Sequence, residues 1–145
     1  MADTVREQIM QALVAALAGV GATIYRERRS PVKDDICPAV VVTDEGQGPA
    51  DYTLSAGVVR YDMAVALEGY VKAAGDAAAG QARNALYGQV LLALNDPALR
   101  ALVIDIDEGA LSPQTDSMPG AAAVSGWRLD LTLAYETTGD PYIRA

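Results

Sequence analysis

Asp105, Asp107 and Glu108 lie close together after an apolar run, and they are the residues of this chain best placed to do chemistry. Acid/base catalysis and Mg²⁺ binding both use carboxylates grouped at the end of a strand. The other parts of such a site do not accompany them. The 145 residues include no histidine, which removes the most common general base, the usual nitrogen ligand for metals and every Ser–His or Cys–His nucleophile. The single cysteine, Cys37, builds neither a disulfide nor a zinc site, and its apolar neighbours Ile36, Pro38, Ala39 and Val40 predict a small buried hydrophobe. Gly46-Gln47-Gly48 continues into Pro49-Ala50 and not into the Gly-Lys-Ser/Thr of a phosphate-binding loop. A strand with alternate residues in water, running into an exposed turn, is the better reading of the three carboxylates, because no third ligand group or base accompanies them. Asp34 and Asp35 beside Lys33 read as another solvated turn. No catalytic, cofactor-binding or metal-ligating residue is therefore expected.

Charge points the same way. With 11 basic and 19 acidic residues the net charge is -8, the wrong sign for gripping phosphates. An acidic wall remains compatible with DNA that must pass without sticking. Arg26, Arg28 and Arg29 form a basic run that contains Glu27, and a subunit contact or plain solubility suits it better than nucleic acid. No stretch approaches the roughly 20 apolar residues of a bilayer span. The first apolar segment starts after Asp3, Arg6 and Glu7, unlike a signal peptide, so synthesis and assembly are expected in the cytoplasm.

The elements that position these residues follow from periodicity. Val5, Ile9, Leu13, Ala16 and Leu17 predict an amphipathic helix over residues 3–19, capped by Asp3 or Thr4 and ended by Gly19 and Gly21. A short strand at Thr23–Arg26 runs into a charged turn, Glu27 to Asp35. Pro38 to Val42 is a continuous aliphatic run, the mark of a strand covered on both faces. Glu45 to Gly57 reads as a long loop. Val58 to Val71 alternates strictly, with Val59, Tyr61, Met63, Val65, Leu67 and Gly69 on one face and Arg60, Asp62, Ala64, Ala66, Glu68 and Tyr70 on the other.

A second helix is predicted from a cap at Asp76 to about Asn95, with Ala79, Ala82, Leu86, Val90 and Leu94 inward. Gly88 weakens it by about 1 kcal/mol and suggests a close approach to a sheet. Asn95-Asp96-Pro97 ends that helix, Leu99 to Val103 leads into a strand ending near Asp107, and Glu108 to Gly120 reads as a loop. The last strand, Val124 to Thr137, turns Trp127, Leu129, Leu131, Leu133 and Tyr135 one way and Arg128, Asp130, Thr132 and Glu136 the other.

At this length one domain is expected, over residues 1–145, with a hydrophobic fraction of 51% but aromatics at only 6%. The arrangement is an α+β two-layer sandwich: a mostly antiparallel mixed sheet of about five strands with two helices on one face. Arg60, Asp62, Glu68, Arg128, Asp130 and Glu136 then share the sheet face opposite the helices. With Arg26, Arg28 and Arg29 they are the candidate residues for a subunit interface or a channel lining.

The order of pieces resembles the tail terminator (tail completion) proteins of long-tailed phages, the lambda-type gene product U group. An N-terminal helix precedes Asp35-Ile36-Cys37-Pro38-Ala39-Val40-Val41-Val42, which is similar to that family's acidic turn and Pro-Ala-Val strand. The alternating strand from Tyr61 to Val71 follows. Asn95-Asp96-Pro97-Ala98-Leu99 is similar to the exit of the family's second helix, and Leu129-Asp130-Leu131-Thr132 with Tyr135-Glu136 to its last strand. The chain departs from the lambda-type pattern in its Gly-Asp-Pro-Tyr segment after Glu136 and in a longer Pro-rich loop before Trp127.

The resemblance implies a homo-oligomeric ring, hexameric, in the virion tail. Its partners would be the tail tube protein and a neck or head-completion protein, without specific nucleic-acid binding, a membrane or a cofactor. A head-completion or neck adaptor ring, and an acidic metal- or ligand-binding domain using Asp105, Asp107 and Glu108, remain as alternatives. Like charge on every copy opposes self-association, and salt screens it. Light scattering should therefore show the mass rising with concentration and with added salt; a fixed monomer mass throughout would count against a ring.

Overall fold

Thirteen consecutive residue pairs join the two longest strands, and the sheet is built outward from them. The computed structural model describes residues 2–28, 36–53, 57–72, 75–116 and 124–145. Strands β1 (Thr23–Arg26), β2 (Ala39–Gln47), β3 (Asp51–Thr53), β4 (Val58–Val71), β5 (Asp105–Asp116) and β6 (Val124–Thr137) form one mixed sheet. The order across it is β1-β2-β4-β6-β5, with β3 continuing β2's side of β4. Only the β1–β2 pairing is parallel. Helices α1 (Val5–Leu17) and α2 (Asp76–Ala93), with the short α3 (Pro97–Arg100), supply the second layer. The fold is thus an α+β two-layer sandwich. Among the described residues no helix is long and apolar enough to cross a membrane.

The main core lies between the layers. Val5, Ile9, Met10, Leu13 and Leu17 of α1, Leu86 and Val90 of α2, and Leu94 at the C-cap of α2 pack on Val40, Val42, Met63, Val65, Leu67, Leu129, Leu131 and Leu133. Each fully buried aliphatic side chain contributes about 1.5–3 kcal/mol. Thr4 caps α1, its hydroxyl accepting from the Glu7 N–H at 3.1 Å. A turn of 3₁₀ helix ends it at Gly21, whose φ of 77° suits glycine.

Several expectations are corrected. β2 runs on past Val42 to Gln47, and part of the expected loop after it is β3, paired with β4. Asp76 is the first residue of α2 and Gly75 occupies the cap position. Asn95-Asp96-Pro97 does more than end a helix: Asp96 caps α3 by accepting from the Leu99 N–H at 3.1 Å, with Pro97 at the first helical position. A strand begins at Asp105, near where one was expected to end, and it continues through Pro113 to Asp116. Proline is tolerated there because β5 lies at the sheet edge, where an N–H has no strand to meet. A bulge between Glu108 and Leu111 interrupts the alternation.

The close approach expected at Gly88 lies elsewhere, because a Cβ on Gly88 would meet nothing within 4 Å. It occurs at Gly69, where the Trp127 ring from β6 lies across the glycine and a Cβ would fall 2.4 Å from the ring. The indole N–H reaches the Arg83 carbonyl of α2 at 3.2 Å, and Tyr87 meets the ring edge-on at 5.8 Å, so this residue ties helix to sheet. Gly69→Ala must displace Trp127 and should destabilise the protein by about 1–3 kcal/mol. Urea unfolding checks this, with Gly88→Ala as the comparison expected to be neutral or stabilising.

Candidate interaction face

Register puts the charged candidates of β4 and β6 on one surface. Arg60 stands opposite Glu136 and Glu68 opposite Arg128, with Asp62 and Asp130 on the same side. Among the described residues this face carries no helix. At one end it is apolar: Ala39, Val41, Tyr70 and Val124 form a second buried cluster, against which Tyr25, Ile36 and Cys37 pack. Tyr70, expected on a mixed face, is only 4% exposed, and Cys37 is half-buried where full burial was expected.

Toward the other end the face is charged. Arg128 is the hub, with its guanidinium 3.0 Å from Glu45, 3.1 Å from Asp130 and 3.9 Å from Glu68. Arg60 turns to Asp62 at 3.6 Å. The opposite charges therefore meet first within the subunit. Burial works to lower Arg128's pKa, but hydrogen bonds to Glu45 and Asp130 outweigh it and hold the group above its ordinary value.

Asp105, Asp107 and Glu108 are separated by the pleat. Asp105 and Asp107 lie on the open face, opposite Ala134 and Thr132. Asp105's charge, together with its acceptance of a hydrogen bond from the protonated Asp107 carboxyl, raises the Asp107 pKa. Glu108 falls on the helix side and accepts from the Tyr87 hydroxyl at 2.9 Å. Among the described residues no three acidic or cysteine groups converge on a metal-sized site.

The basic run is likewise dispersed. Arg26 points to the helix layer and grips both Glu7 oxygens, at 2.6 and 2.7 Å, whereas Arg28 lies over the Tyr25 ring at 4.6 Å. Arg29 lies outside the described residues, as do Lys33, Asp34 and Asp35.

One polar cluster escaped the sequence reading. Asp44 follows the aliphatic run of β2 on the helix side, and Arg6 of α1 meets it with both terminal nitrogens, one of them 2.6 Å from Oδ1. Arg6 Nε also donates to Gln47 Oε1 at 3.1 Å, and the same oxygen accepts from the Tyr135 hydroxyl at 2.9 Å. Tyr135 stacks on Tyr61 with ring centres 5.2 Å apart. This network fixes the angle of α1 on the sheet, and so the boundary between covered and open faces. The only sequence signal was an aspartate breaking an aliphatic strand.

These features define a two-layer domain whose second sheet face carries no helix among the described residues. No protein-family model matches the chain, and no curated protein matches it in sequence.

The Arg6 hydrogen bond, assisted by the Gly46 N–H, holds the Asp44 carboxyl below its ordinary value. A carboxylate lowered on folding contributes its stability above its unfolded pKa and loses it as pH falls through the lower folded value. Asp44→Asn should therefore cost about 1 kcal/mol at neutral pH. Between about pH 5 and pH 2 the variant should also lose less stability than the parent chain. Denaturant titrations across that range measure both effects.

Proposed function

We propose that this chain is the ring subunit that caps the tail tube of a long-tailed phage, halting tube growth and offering the surface to which the head joins. The observation that carries the reading is the sheet face that bears no helix among the described residues, where rows of charge from β4 and β6 lie beside an apolar cluster already buried within the subunit. The segments similar to tail terminators also fall on the framework of this sheet. Pro38–Val42 leads into β2, the Asn95–Leu99 segment joins α2 to α3, and Leu129–Thr132 lies in β6.

The mechanism is binding and geometry, with no bond made or broken. Each copy closes a ring with its neighbours, hexameric in the resembled family, and closure leaves no further site for a tube subunit. Complementary charge sets orientation more than affinity. Acid in excess of the internal pairs, including Asp105 and Asp107, would face the channel, where it repels phosphate and lets DNA slide. The partners are the tube protein on one side and a neck or head-completion protein on the other, and the place of action is the virion tail.

Mixing the purified protein with tail tubes tests this. Negative-stain images should show a ring on one tube end, and tubes so treated should stop elongating. Bare ends with unchanged elongation would overturn the proposal. Binding to head connectors alone would assign the ring to the head side.

A further inference from the structure

Among the described residues Glu27 is the one non-glycine with a positive φ, 58°, and it stands directly after β1. An L side chain in this left-handed region crowds the carbonyl that follows it, and glycine or asparagine fits there at lower cost. Strain of this kind persists where the surrounding contacts hold it. The hydrogen bonds of Glu27 lie on the border of β2.

β1 lines that border only as far as the Arg26–Val42 pair, whereas β2 runs on to Gln47. Beyond Val42 no strand among the described residues pairs with β2 on this side. The left-handed turn lets Glu27 close the gap. Its N–H donates to the Val42 carbonyl at 2.8 Å, and its carboxylate swings past the end of β1 to accept from the Asp44 N–H at 2.7 Å. Two residues further, the Gly46 N–H donates to Asp44 Oδ1 at 2.8 Å, and Arg6 holds that carboxylate from the helix side. Donors that a new strand would need are thus occupied by carboxylates of the chain itself. An incoming strand offers a neutral carbonyl and must displace a charge-assisted bond, which is about twice as strong.

We propose that Glu27 is a guard on the β2 border: its carboxylate takes the place of a strand partner and keeps a second copy of this chain from adding an extended segment there. Glycine would relax the backbone at this position but supply no acceptor, and asparagine is one methylene too short to reach. The strained glutamate therefore exchanges local stability for a closed border. A like chain is the partner to be kept out, because an unpaired strand border is a template on which copies add. The guard does not depend on the tail-capping role and holds for a subunit alone or in a ring.

The test separates the backbone strain from the acceptor. Glu27→Gly and Glu27→Asn suit the left-handed turn without reaching the Asp44 N–H, whereas Glu27→Gln keeps both the reach and an acceptor oxygen. The two short variants should unfold in urea at or above the parent's midpoint, and hydrogen exchange at the Asp44 amide should quicken in them alone. In salt that screens the charge of the copies, their thioflavin fluorescence and light scattering should rise at least about tenfold faster than the parent's, with Glu27→Gln close to the parent. Val90→Ala, which weakens the core without touching the border, measures assembly from unfolded chains. No assembly by either short variant, equal assembly by Glu27→Gln, or assembly no faster than that of Val90→Ala would each overturn the guard.

Discussion

The ladder between β4 and β6 is the constraint on which the other contacts depend. Its register fixes which side chains face the helices and which face outward, because a slip of one residue would exchange the two sets. Trp127 reinforces that register. Its ring fits only over Gly69, and the neighbouring Gly126 leaves no room for a side chain, since a Cβ there would lie 2.2 Å from the Gly69 carbonyl oxygen. Any other alignment would set the indole against a Cβ.

The helix layer is then located by polar contacts at its margins. Successive residues of α1 reach different strands, Arg6 to Asp44 on β2 and Glu7 to Arg26 on β1. The aliphatic stripe between them supplies most of the burial, but such a stripe tolerates sliding, and two ion pairs in different directions do not. Trp127 does the same for α2 through the Arg83 carbonyl. The open face exists because both helices are held to one side.

Much of this frame was legible in the sequence, for reasons that also explain what was not. Alternation sustained over fourteen residues identified β4 with its correct ends, because period two cannot be mistaken over that length. The β6 stripe from Trp127 to Tyr135 was equally plain and is core. β5 was obscured because Pro113 and a bulge break its alternation, and a proline is tolerated there by the strand's place at an edge, which is a tertiary fact. α3 is four residues long, too short for periodicity, though Asp96-Pro97 carried a start signal. The charged face could be drawn from β4 and β6 alone. Its internal neutralisation could not, since Arg128 meets Glu45 from 83 positions away in the chain.

The same edge has a consequence during synthesis. A long strand at a sheet border is a template on which another unfolded chain can add, which is how cross-β aggregates start. β5 spans twelve residues, long enough to be hazardous if it were flat and regular. Its proline removes a hydrogen-bond donor, its bulge twists the border, and Asp105 and Asp107 place like charges where an identical incoming strand would carry its own. The chain is thereby protected from runaway strand addition on one border of its sheet. Contacts made there must read side-chain shape, which distinguishes a folded neighbour from an unfolded one.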